Sequence, residues 1–176
     1  HGNVSMIMES DNIAGSTMTL AGSLSGSITI TALNNGKGTV NSGNLLLTGN
    51  NSNFSGTWDV TQYSNKYPST PGYITTLEGK SENAFGKGSI IVGLENKVIF
   101  SHTNAVGDSL VLTLNESAKA VLNVDINVKK MVLNGIPADS GEYSVTSHPG
   151  LFEGTGRIIV GESGNGEEPV DELAAF

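Results

Sequence analysis

The sequence predicts an all-β protein and, within that class, a parallel β-helix of about seven coils. Three observations carry this. Gly makes up 23 of the 176 residues and recurs every few positions, so the long runs of helix-forming residues that a helix needs are missing. Gly, Ser, Thr and Asn together make up roughly two-fifths of the chain, while charged residues are only 15%. Short apolar–polar alternations occur throughout, each stopped by Gly or Asn. A sandwich would prefer longer strands joined by Asn-Gly hairpins. Very short strands with small polar corners suit a parallel β-helix better, because each corner must bend tightly and stack on the coil below.

The strands follow from these alternations. The first are Met18–Leu20 and Ser27–Leu33, in which Ile28 and Ile30 alternate with Thr29 and Thr31. Asn44–Thr48, Thr57–Val60 and Tyr73–Leu77 come next, then Ser89–Val92 and Lys97–Phe100. Ser109–Leu114 leads into Ala120–Val128, where Leu122, Val124, Ile126 and Val128 share one face and Asn123, Asp125 and Asn127 the other. Lys130–Leu133, Glu142–Val145 and Arg157–Val160 complete the set.

Composition also excludes functions. One Arg (Arg157) and eight thinly spread Lys leave no basic footprint for nucleic acid. No apolar run has the length of a membrane span. Without Cys there is neither a disulfide scaffold nor a thiolate metal site. The net charge of −8 is unevenly placed: residues 162–176 hold five acids and no base. The chain therefore divides into a module over 1–161 and an acidic linker or terminal strap over 162–176.

One stretch, Asn44-Leu-Leu-Leu-Thr-Gly-Asn-Asn-Ser-Asn-Phe-Ser-Gly-Thr-Trp-Asp-Val60, resembles the autotransporter-associated β-strand repeat of bacterial surface proteins. Asn83-Ala-Phe-Gly-Lys-Gly-Ser-Ile-Ile-Val92 is similar to the turn and strand that follow in that family. Met131–Ile136, Gly141–Val145 and Phe152–Val160 match its closing segments, so the resemblance spans residues 44–161. It implies a right-handed, single-stranded parallel β-helix in an exported protein, extracellular or on the bacterial surface. It implies no single activity, because such repeats occur in adhesins, scaffolds and modules attached to glycan-degrading enzymes.

The chain departs from the repeat between Val60 and Asn83, where Gln62-Tyr-Ser-Asn-Lys-Tyr-Pro-Ser-Thr-Pro-Gly-Tyr73 intervenes. This insertion carries three of the four Tyr and two of the five Pro. A Tyr ring offers a flat apolar face to a pyranose, and neighbouring amides and amines can bond its hydroxyls. Proline stiffens the segment and lowers the entropy lost on binding. Tyr63, Tyr67 and Tyr73, with Gln62, Asn65 and Lys66, are therefore the candidate carbohydrate-binding residues; the competing reading packs these rings down as a lid. Trp58 joins the candidates with two readings open. It shares a face with Val60, which makes it core, and it is the lone Trp, which makes it a candidate platform.

Catalysis has little to draw on. His102 lies near Asp108 and Ser109 only as a turn neighbour, and His148 precedes Pro149-Gly150. Glu78 with Glu82, and Asp125 with Asp139, are the carboxylate pairs a glycosidase would need, but solvated surface acids explain them better. Ca²⁺ is the remaining metal candidate, through Asn123, Asp125 and Asn127, although the Gly turn and closing Glu of a compact loop are absent. No cofactor is expected. The chain reads as a monomeric, non-catalytic module that holds a linked catalytic domain on a plant cell-wall polysaccharide, similar to β-helical xylan-binding modules. The alternative is a structural or adhesive fragment of an autotransporter-like surface protein.

Overall fold

The computed structural model describes residues 3–8, 16–34, 41–62 and 73–161. Among them the chain forms strands and no helix. The strands are β1 (Asn3–Met8), β2 (Ser16–Leu20), β3 (Ser25–Gly26), β4 (Thr29–Asn34), β5 (Asn41–Leu47) and β6 (Asn53–Phe54). Next come β7 (Thr57–Val60), β8 (Tyr73–Gly79), β9 (Ser89–Val92), β10 (Lys97–Phe100), β11 (Val111–Leu114) and β12 (Lys119–Leu122). The last six are β13 (Ile126–Val128), β14 (Lys130–Leu133), β15 (Ile136–Pro137), β16 (Gly141–Tyr143), β17 (Phe152–Gly154) and β18 (Ile158–Val160).

Two large sheets hold most of these strands. One has seven strands in the order β1-β4-β7-β9-β11-β14-β15, the other six in the order β17-β12-β10-β8-β5-β2. Every neighbouring pair in them is parallel except β14–β15. The chain visits the two sheets in turn, so within each large sheet most strands pair in parallel with a strand from an earlier visit. Two small sheets, β3–β6 and β13–β18–β16, lie along the intervening segments.

Parallel, in-register pairing with a side-chain period of two puts like residues in columns. Ile30, Trp58, Ile90, Leu112 and Met131 align across the larger sheet and are all buried. Across the other sheet, Leu45, Leu77, Val98, Ala120 and Phe152 align and are likewise buried. The two columns belong to one continuous hydrophobic cluster, in which Phe85 meets Phe100 edge-on at 5.2 Å.

One corner is stitched by backbone bonds between segments well separated in sequence. Asn51 N donates to Asn83 O (3.1 Å), and Asn83 N in turn to Asn104 O (2.6 Å). Asn51 is fully buried: its Oδ1 accepts from Leu24 N (2.7 Å) and its Nδ2 donates to Ala84 O (2.6 Å). One side chain thus ties three successive passes of the chain together.

The all-β prediction agrees with the structure, with local differences. The run Ala120–Val128 is not one strand: β12 ends at Leu122, Asn123–Asp125 turn a corner, and β13 joins a different sheet. Its alternation persists across the corner because Leu122, Ile126 and Val128 are all buried. The strand predicted from Ser27 starts at Thr29, and β1 and the two-residue β3, β6 and β15 lie outside the predicted runs. Two residues are too short to show a period, so pairing alone defines those strands.

Candidate functional site

Of the candidate carbohydrate-binding residues, Tyr63, Asn65, Lys66 and Tyr67 lie outside the described residues, and Tyr73 is described only as the first residue of β8. What is described is the ground on either side of them. Val60 ends β7 in the larger sheet, and Tyr73 begins β8 in the other, so the Tyr-rich insertion falls where the chain crosses between sheets. The flanking registers are kept. Thr57–Val60 pair with Ser89–Val92, and Asn41–Leu47 pair residue for residue with Tyr73–Gly79.

A single buried carboxamide spans the two stems. Asn96 is fully buried, and its Nδ2 donates to Val60 O (2.9 Å) before the insertion and to Gln62 O (3.1 Å) at its first residue. Its Oδ1 accepts from Thr75 N (2.8 Å) after it. Gln62 itself is exposed. Asn96 lies beyond β9, where its sequence context, Gly93-Leu-Glu-Asn96, looks like any polar turn. Nothing local separates a buried Asn from a solvated one, so sequence reasoning passed over it.

Trp58 is corrected from candidate platform to core. It is fully buried, tilted against Phe54 at 5.2 Å, and its indole N–H donates to Phe85 O (3.0 Å). A ring with no face or edge in water cannot stack on a sugar.

The remaining candidates disperse. Glu78 Oε1 accepts from Ser101 Oγ (2.7 Å) and sits 3.6 Å from Lys80 Nζ, while Glu82 and Asp139 are elsewhere on the surface. The three residues weighed for Ca²⁺ do not converge. Asn123 Nδ2 donates to Ser101 Oγ (3.1 Å), Asp125 pairs with Arg157 (3.0 Å), and Asn127 is exposed on β13. Arg157 also reaches Glu142 (2.8 Å), and these two carboxylates, Asp125 first, push its already high pKa further up. His102 Nδ1 accepts from Asn104 N (3.2 Å) within its own turn. The His148 ring packs between Tyr143 (5.3 Å) and Phe152 (6.0 Å). Among the described residues, no three His, Asp or Glu side chains are grouped to hold a metal. Compared with protein-family models, with curated proteins and with solved structures, the chain gives no match.

Proposed function

We propose that this chain is a non-catalytic polysaccharide-binding module, built as a single right-handed parallel β-helix and displaying the Tyr-rich insertion as its ligand platform. The observation that supports this reading is the anchorage of the insertion. The aromatic segment falls in sequence between two strands whose registers are locked, and one buried amide fastens both of its stems. A rigid base lowers the ordering entropy lost when rings close on a sugar. The alternating parallel returns of the two large sheets support the solenoid, since each circuit pairs with the one before it. In this reading the polysaccharide is a plant cell-wall glycan such as xylan, and the module's value is avidity: it raises the local concentration of a linked catalytic domain at an insoluble surface. The module itself works as a monomer, outside the cell, without metal or cofactor.

Affinity electrophoresis and calorimetry against xylans, glucans and mannans test the reading. Binding to xylan is expected, and Tyr63→Ala, Tyr67→Ala and Tyr73→Ala are each expected to weaken it by about tenfold, the loss of one stacking ring. If xylan is bound equally well by all three variants, the insertion is not the platform. If no glycan binds, the module reading fails, and the chain is better read as a structural or adhesive scaffold.

A further inference from the structure

A cavity of about 340 Å³ opens on the stitched corner, between the turn that follows β10, the end of β13 and the end of β18. It lies near the small end of the range of roughly 300–1,000 Å³ that small-molecule sites occupy. Its position is set by long-range bonds. Gly107 N donates to Gly86 O (2.8 Å), Leu110 N to Gly107 O (3.1 Å), and Lys129 N to Leu110 O (3.0 Å), which seats the turn beside β13. Pairing of Asn127 with Ile159 then brings β18 alongside.

Its lining is chemically specific. Thr103, Asn104, Asp108, Asn127 and Lys129 supply a hydroxyl, two carboxamides, a carboxylate and an ammonium group, and all five residues are exposed. Among the described residues none of these side chains spends its polar end on an ion pair, and Asp108 and Lys129 are not paired with each other. The half-buried Val106 and Ile159 add an apolar wall without an aromatic ring, and Val128 borders it while its side chain belongs to the core.

We propose that this cavity binds an acidic sugar, a uronate residue, with Lys129 on its carboxylate and Asp108, Asn104 and Asn127 on its hydroxyls. The inventory of donors and acceptors selects this class. A carboxylate oxygen only accepts, so Asp108 suits hydroxyl donors, whereas a carboxamide both donates and accepts, as hydroxyls require. The Lys129 ammonium only donates and suits the sugar's own carboxylate. A phosphate dianion has no array of hydroxyls to offer Asp108, Asn104 and Asn127 and meets the Asp108 charge directly, whereas a uronate can turn its hydroxyls to Asp108 and its carboxylate to Lys129. A zwitterionic amino acid would match Asp108 and Lys129 but leave both carboxamides and Thr103 without partners. The aliphatic wall matches the C–H face of a sugar ring. The inference stands apart from the Tyr-rich platform, because it uses different residues on a different segment.

The test is an amide-resolved NMR titration of the full chain with methyl glucuronide, with methyl xyloside and glycine as comparison ligands. Saturable shifts in the millimolar range, confined to residues 103–108, 127–129 and 159–161, are expected for the glucuronide alone. Added salt should weaken the binding, because one ion pair is involved. Lys129→Gln should weaken it by about tenfold, and Asp108→Asn by several-fold, whereas Lys130→Gln, a neighbour that does not line the cavity, should leave it unchanged. Both substituted side chains are exposed, so the fold is expected to survive, and the unchanged spectrum of the rest of the chain checks that. Shifts that fail to saturate, shifts scattered over the surface, equal binding of xyloside or glycine, or an unaltered Lys129→Gln variant would each overturn the proposal. Loss of xylan binding in the Tyr variants bears on the platform alone and leaves this result intact.

Discussion

A carboxamide has two donor and two acceptor positions, and burying one is costly unless they are filled. Asn96 fills three with backbone groups of two segments, Val60 and Gln62 on one side and Thr75 on the other. Removing it orphans the buried Thr75 amide, at about 1–3 kcal/mol for a group left unsatisfied, whereas Val60 O keeps its bond from Gly93 N (3.1 Å) and Gln62 O can turn to water. Asn96→Ala is therefore expected to lower the free energy of unfolding by about 1–3 kcal/mol in urea denaturation. Asn96→Asp should be at least as damaging, because it places a second acceptor against the Val60 and Gln62 carbonyls. Asn123→Ala, which removes only an exposed contact to Ser101, should change stability by less than about 0.5 kcal/mol. If the two Asn positions prove equally tolerant, the stem clasp is not a structural necessity. In the sequence both are Asn beside a short strand. Only the bonds each one makes tell them apart.

At the scale of strands and turns, close approach between neighbouring segments decides which residues fit. A Cβ at Gly88 would lie 1.8 Å from Gly56 O, which is backbone and cannot swing aside. The next residue along is bonded to that same oxygen, Ser89 N donating to Gly56 O at 3.0 Å, so any outward shift would pull that ladder apart. Gly88→Ala is expected to cost at least the upper end of the ~1–3 kcal/mol seen when a packed site is overfilled, read as a lower midpoint in thermal or urea unfolding. Gly150→Ala, in open space with no positive φ, is the matched substitution and should be nearly neutral. Strand edges obey similar logic. Asn134 and Gly135 both have positive φ, 51° and 81°, which is the requirement of a two-residue hairpin turn. Here the hairpin adds antiparallel β15 to a sheet that is otherwise parallel. The corner at Asn123–Asp125 could not be read the same way. Its apolar alternation continues unbroken, and the break is enforced by the different sheets that receive β12 and β13.

For the whole molecule, the two large sheets enclose one core, and nearly every strand pairs with one from a distant part of the sequence. A longer connection between two paired strands costs little in such a scaffold, since closure entropy grows only slowly with loop length. Replacing residues 63–72 with a short Gly-Ser linker is therefore expected to leave the unfolding free energy within about 1 kcal/mol of the native chain. Under the proposed function, the same replacement should abolish xylan binding. A chain that unfolds on this replacement would show that the insertion supports the core, as a lid would, and would count against the platform.

How much of this was legible depends on whether a feature is local. The sequence by itself determined the all-β class and the burial parity of most strands. Alternation with a period of two fixes which side chains can share a face, as in Leu45 and Leu47 or Ile90 and Val92, whatever lies beyond the strand. It also marked the Tyr-rich insertion, because that segment breaks a composition kept elsewhere. Tertiary structure alone decided that Trp58 is core, that Asn96 clasps the stems of the insertion, and that Asn104, Asp108, Asn127 and Lys129 line one cavity. Each of those facts depends on residues far apart in sequence meeting through parallel register, and register is a property of paired strands that no single strand encodes.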